Sequence, residues 1–264
     1  MSFLQIAPEL EISLVAIFGL LIGSLLSLIS YRVNSDEPIV IARSKCPHCK
    51  KNLTPLNLIP LISWICQKGK CTGCKKKISI RYPLIELSCL AIFLFIYITN
   101  YKIIDIQTIT LAAIASTLIF MIIVDLEHYY IPDLSQYLLA ILVTIFIIVT
   151  TGNFDLLSRF QSAFIYVGFG LALWGLFYIL VGIEAIGIDD IKFFFTAGFA
   201  LTIDSFLLFT LLSGLLGVIF GSAWQKITKD EYFPFAPAIC VAFFICLIYG
   251  EQLNISKWID NMVF

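Results

Sequence analysis

Charge is what this chain has least of. Asp, Glu, Lys and Arg together make up 13% of its 264 residues, against 60% hydrophobic ones. A soluble domain carries roughly 25% charged and about 45–50% apolar residues, so a water-facing globular surface is excluded and a polytopic membrane protein is expected. Basic residues are missing from the start: residues 1–11 hold two acids, Glu9 and Glu11, and no Lys or Arg. A secretory signal peptide needs a basic segment ahead of its apolar core, so the first apolar run is expected to remain as a membrane span. Acids in turn are nearly absent from residues 32–82, with only Asp36 and Glu37, whereas that stretch holds 11 of the 17 Lys and Arg. A basic loop between spans is held on the cytoplasmic side. Nucleic-acid binding, the rival reading of such charge, is set aside because the loop is short and membrane-tethered.

Crossing a bilayer takes about 20 apolar residues. Runs of that kind occupy 12–31, 83–100, 106–124, 134–150, 160–181 and 234–249. The stretch 191–222 is too long for one span and is interrupted near Thr202-Ile203-Asp204, so it reads as two helices, the first short. The expected fold is an all-α polytopic membrane protein of about eight transmembrane helices, with a small zinc-binding cytosolic insertion after the first. Its expected divisions are 1–31 (first helix), 32–82 (loop) and 83–264 (membrane core). With the basic loop inside, counting crossings brings the end of the third segment and the start of the sixth to the inner face.

Two features carry chemistry. The loop contains Cys46-Pro-His-Cys49 and, after 21 residues, Cys71-Thr-Gly-Cys74. Four thiolates can close a tetrahedral zinc site, and structural zinc sites are filled by protein ligands. Thiols on a cytosolic face stay reduced, so metal binding is preferred to disulfides or to a redox dithiol. His48, inside the first turn, is expected to point away. Cys66 reads as a small buried hydrophobe, as do Cys89, Cys240 and Cys246 in their apolar runs.

The second feature is a pair of aspartates, 65 positions apart, at ends of apolar runs: Asp125 after Ile122-Ile123-Val124, and Asp190 before Ile191-Lys192-Phe193. Carboxylates are costly near lipid and mark candidate sites there. Two carboxylates facing one water can divide peptide hydrolysis, one ionised and taking a proton, the other protonated and polarising the scissile carbonyl. The competing reading makes both acids headgroup-level helix ends. Glu127, His128 and Asp133 read as interfacial loop residues, and Lys192 as a partner for an aspartate or a residue reaching to the interface.

At these residues the chain resembles the type IV prepilin peptidases, many of which are also N-methyltransferases. The resemblance runs from Gly23-Ser24-Leu25-Leu26 through Arg43-Ser44-Lys45-Cys46-Pro47-His48-Cys49, Asn57-Leu58-Ile59-Pro60 and Gly69-Lys70-Cys71-Thr72-Gly73-Cys74. It continues through Ile80-Arg81-Tyr82-Pro83, the Asp125 segment with Ile131-Pro132-Asp133, Asp190-Ile191-Lys192 and Phe233-Pro234-Phe235-Ala236-Pro237. It implies a GxGD-type aspartic protease of the bacterial inner membrane with its site facing the cytoplasm. Such an enzyme cuts the basic leader from prepilins and pseudopilins, then methylates the new N-terminus with S-adenosylmethionine. By position, Asp125 and Asp190 match the catalytic aspartates. Implied cofactors are a structural zinc on Cys46, Cys49, Cys71 and Cys74 and the methyl donor; implied partners are the prepilins and membrane lipid, not nucleic acid. No glycine-rich fold for the donor is visible. The chain departs from the family in Gly187-Ile188-Asp189-Asp190, where aspartate replaces the second glycine, and in Ala236, where the late turn has glycine. A zinc-ribbon scaffold for pilus or secretion assembly, without catalysis, is the alternative.

Overall fold

Long apolar runs without internal proline leave the backbone one way to satisfy its own N–H and C=O groups in lipid, the α-helix. The computed structural model describes residues 8–33, 43–100, 103–152, 155–182, 186–230 and 232–250, and among these the regular elements are helices. They are α1 (Pro8–Val33), α2 (Ile62–Cys66), α3 (Arg81–Thr99), α4 (Ile106–His128), α5 (Asp133–Thr151), α6 (Leu156–Val181), α7 (Ile188–Leu201), α8 (Phe206–Thr228) and α9 (Ala236–Tyr249). Six of them, α1, α3, α4, α5, α6 and α8, are long and apolar enough to cross a bilayer. α7 and α9 have 14 residues each. At 1.5 Å per residue they reach about 21 Å, short of the roughly 30 Å hydrocarbon core. The expected eight major helices are therefore present, six of them of full membrane length.

α5 shows why this is a lipid-facing chain. Its outward positions Leu134, Leu138, Ile141, Ile145 and Ile148 are exposed and apolar, while Ser135 and Gln136 are buried beside Leu139, Val143 and Ile147. The helix turns hydrocarbon outward and its polar groups inward, the reverse of a water-facing helix.

The chain divides into two compact units, Met1–Ala112 and Ala113–Phe264. In the first, α1 and α3 form a close pair. Gly19 and Gly23 of α1 lie against the α3 backbone; a Cβ on Gly23 would sit 2.7 Å from the Glu86 Cα. Small residues four apart let membrane helices approach this closely. Both ends of the pair are tied: Tyr97 donates to Glu11 (2.8 Å), and Arg81 donates to the Ser30 hydroxyl (2.8 Å).

In the second unit α7 packs against α5, α6 and α9. Gly198 of α7 meets α6, where a Cβ would come within 2.8 Å of the Ala163 Cα. α7 stops at Thr202, whose φ of 60° breaks the helix. Its orphaned terminal carbonyls find donors on α6: Arg159 donates to the Phe199 and Ala200 carbonyls (3.0 and 3.1 Å), and the Tyr166 hydroxyl to that of Thr202 (3.0 Å). The polar interruption read at Thr202-Ile203-Asp204 is this break. Aromatic edges, among them Phe194 on Phe209 and Phe193 on Phe243, fill the core around it.

Candidate functional site

Asp125 lies in the last turn of α4 and is 6% exposed. A buried carboxylate needs donors, and this one accepts a 2.8 Å hydrogen bond from the Ala236 backbone N–H, the first residue of α9. Phe235 precedes that helix and Pro237 follows in its first turn, a position where proline fits without loss. Asp190 is the third residue of α7. It accepts from the Gly187 N–H at 3.1 Å, closing the first turn on itself. Both carboxylates thus occupy helix N-termini, whose partial positive charge favours an anion. The two are within electrostatic reach of each other, and both are within reach of the buried Cys240 thiol on α9.

Gly187 has an ordinary negative φ of −70°, so its lack of a side chain matters for space and not for conformation. A Cβ there would lie 3.2 Å from the Asp190 Oδ2. The aspartate in place of the second motif glycine is also accounted for. Asp189 is the second residue of α7 and is not among the positive-φ positions, so no glycine is needed. Its side chain pairs with Lys192 at 3.1 Å, and Lys192 pairs with Asp133 at 2.6 Å. Asp189 is therefore held by Lys192, while Asp190 turns to the Gly187 amide.

Glu127 and His128 approach one another at 4.0 Å beyond Asp125. Tyr129, with φ 59°, reaches Asp230 at 3.3 Å. Sequence reasoning missed two groups. The Ala236 amide carries no side-chain signature; only the following proline hinted at a helix start. Gln136, buried on α5, donates from Nε2 to the Asp189 carbonyl at 3.0 Å, leaving its Oε1 buried without a partner.

In the first unit the four cysteine sulfurs lie within 4.8 Å of one another and form a group that could hold a metal ion. Each pair sits in its own hairpin, and the two hairpins share one pattern. Cys46 N–H donates to the Lys51 carbonyl and Lys50 N–H to that of Cys46; Cys71 and Lys75 repeat the pattern with Lys76 and Cys71. Lys50 and Lys75 take positive φ (56° and 59°), and bridges Lys45–Asn52 and Lys70–Lys77 close the hairpins. The fit to a soft divalent ion rests on the four converging sulfurs. Backbone N–H groups of Cys74 and Gly73 lower the Cys71 thiol to about 6, while Cys74, despite the Lys76 N–H, is raised to about 11 by burial and the crowding thiols. A bound cation would favour the thiolate, the metal-binding form, at all four. His48 stands outside the sulfur group, as expected. Cys66 is a correction. It is exposed, not buried, because α2 is five residues long and its Ile62 and Ile65 are exposed too. Cys89, Cys240 and Cys246 are buried.

Comparison with known proteins agrees with both halves. Residues 17–100 match the Bacterial Peptidase A24 N-terminal domain, and residues 112–222 the Type IV leader peptidase family. The prepilin leader peptidase/N-methyltransferase of Bacillus subtilis is 31% identical over 92% of this chain and 96% of its own length. Its namesake from Aeromonas salmonicida is 31% identical over 95% and 94%, and that of Pseudomonas aeruginosa 26% over 96% of each. No solved structure matches. With two family matches in tandem and relatives similar across nearly the whole length, the chain belongs to the type IV leader peptidase family.

Proposed function

We propose that this chain is an aspartic endopeptidase that removes the basic leader from prepilins and pseudopilins and N-methylates the residue exposed. The observation that carries the peptidase reading is that two carboxylates on separate helices, Asp125 and Asp190, lie within electrostatic reach of each other, each held by one backbone N–H. Like charges within electrostatic reach of one another do not both ionise readily, and in this reading the pair shares a proton. The ionised partner takes a proton from water as the oxygen attacks the scissile carbonyl; the protonated partner donates to the carbonyl oxygen and later returns a proton to the leaving amine. The Ala236 and Gly187 amides hold the oxygens that are not reacting. Asp189 lies within electrostatic reach of both carboxylates; with Glu127 and Asp133 it is assigned to a Lys-rich leader, which would compete with Lys192 for Asp189 and Asp133. In the proposed setting, the inner membrane with the site facing the cytoplasm, such leaders lie on the same side as the acids.

Zinc is the ion proposed for Cys46, Cys49, Cys71 and Cys74, all four positions being filled by protein so that the metal shapes the loop and leaves no open site. S-adenosylmethionine is the proposed methyl donor. The peptidase reading is tested in membranes co-expressing a prepilin. Asp125→Asn and Asp190→Asn each lower leader removal by at least about a hundredfold while the protein still inserts; full processing by both would end the idea. Asp189→Asn costs less, because its carboxylate faces Lys192. A non-catalytic zinc scaffold predicts the reverse, with cysteine variants abolishing assembly and aspartate variants doing nothing.

A further inference from the structure

The first unit contains an open-mouthed cavity of about 400 Å³ lined by α1, α3 and the cysteine loop, within the range of roughly 300–1,000 Å³ usual for small-molecule sites. Its walls are of mixed character. α1 supplies aliphatic side chains, Ser24 and Arg32; the loop supplies Lys45, Trp64 and the amides Asn57 and Gln67; α3 supplies Tyr82 and, one turn on, Glu86, so the cavity holds charge of both signs, as an amino-acid head and a sulfonium require. We infer that this cavity binds the methyl donor, with Trp64 and Glu86 as its recognition groups. The inference rests on the N-methyltransferase part of the proposed function.

Three observations support it. First, the Trp64 indole N–H is buried and has no hydrogen-bond partner. A buried donor left unmade costs roughly 1–3 kcal/mol, and a ligand acceptor would remove that cost. The ring itself is held in place: Gly69, at φ +63°, lies on it, and a Cβ there would come within 3.0 Å. Second, Gln67 donates to the Asn57 carbonyl oxygen at 3.3 Å. That leaves the Asn57 NH2 and the Gln67 carbonyl oxygen with capacity for a polar ligand, such as a ribose or an amino-acid head. Third, Glu86 is 7% exposed, and its Oε2 accepts from the Leu61 N–H at 2.7 Å. Leu61 is bent into an unfavourable backbone conformation, φ 57° and ψ −52°. Strain of this kind persists where the surroundings over-determine it, commonly at ligand clamps. Here it fixes the loop over the carboxylate.

The ligand's chemistry matches these walls. S-adenosylmethionine carries an aromatic base, a ribose, an amino-acid head and a positively charged sulfonium. Trp64 offers an aromatic face for the base, while the Tyr82 ring already carries the Arg81 guanidinium; Glu86 supplies the charge opposite to the sulfonium. In the transfer step the lone pair of the exposed N-terminal amine attacks the donor's methyl carbon. The C–S bond breaks with its electrons passing to sulfur, leaving a neutral thioether, and the methylated nitrogen gives one proton to water. Because the product has lost its charge, Glu86 holds donor more tightly than product and so favours product release.

The test is equilibrium dialysis of the full-length, metal-loaded protein in detergent with radiolabelled S-adenosylmethionine, using S-adenosylhomocysteine as competitor. Trp64→Phe, which keeps the ring and removes the N–H, weakens both ligands by about tenfold. Glu86→Gln weakens the donor by a similar factor while product affinity moves by less than about threefold; an equal loss of both would overturn the charge role of Glu86. Wild-type affinity in both variants would overturn the site. Ultraviolet cross-linking of the donor to the wild-type protein needs no variant: an adduct mapped to residues 57–86 supports the site, and one mapped to 113–250 overturns it. A wild-type protein that neither binds donor nor methylates cut pilin would instead remove the methyltransferase reading itself.

Discussion

Gly187 is the residue whose side chain is most informative by being missing. Its φ is ordinary, so alanine there meets no backbone strain; the new methyl instead presses the Asp190 Oδ2 at 3.2 Å. Misplacement of a reacting group by about 1 Å can cost on the order of a hundredfold. A displacement of a few tenths of an ångström makes a loss of about tenfold the expected outcome for Gly187→Ala in a prepilin cleavage assay, with thermal stability little changed. A normal cleavage rate would mean that Asp190 tolerates movement. Asp125 and Asp190 were legible in the sequence because a carboxylate at the edge of an apolar run stands out. The groups that hold them were not. Ala236 acts through its amide, which every residue but proline has, and Gln136 looks like any polar residue near a helix start.

Helices α4, α5, α6 and α8 were legible from apolar length alone, and the α7–α8 break from a polar interruption in an apolar stretch. What length could not convey is why a fourteen-residue helix is stable with its C-terminal carbonyls indoors. Arg159 supplies the answer from α6 by donating to the carbonyls of Phe199 and Ala200. Arg159→Met keeps the aliphatic stem and deletes the donors. Leaving buried acceptors unmet costs about 1–3 kcal/mol, so the variant should melt earlier in detergent and lose cleavage in parallel as the α7 end frays. An unchanged melting curve would assign those carbonyls another donor. The α1–α3 pairing was likewise hidden: the Gly19–Gly23 spacing is visible only to a reader who already knows which helix lies opposite.

Across the whole molecule the chemistry is divided along the chain. The sulfur group and the cavity beside it belong to the first unit, and the aspartates to the second. Stripping the metal, by chelation or by Cys46→Ser with Cys71→Ser, should therefore spare leader removal more than N-methylation. Mass spectrometry of the mature pilin N-terminus reads both at once, and equal loss of the two activities would count against separate workings. The paired hairpins explain how loss would spread: each is a short turn with a lysine in a left-handed conformation, and without a shared ion little holds one to the other. The tandem CxxC spacing announced this group in the sequence; the cavity beside it had no signature, since its walls come from three separate stretches.

The hydrogen bond from Ala236 to Asp125 also has a consequence in time. During synthesis Asp125 leaves the ribosome 111 residues before the amide that completes it. A nascent chain that has inserted α4 through α8 carries both aspartates and still lacks the donor for one of them, so on the proposed reading leader removal begins only when α9 docks. A chain truncated after residue 230 should insert, resist degradation and cut nothing, and supplying α9 as a separate peptide should restore cleavage.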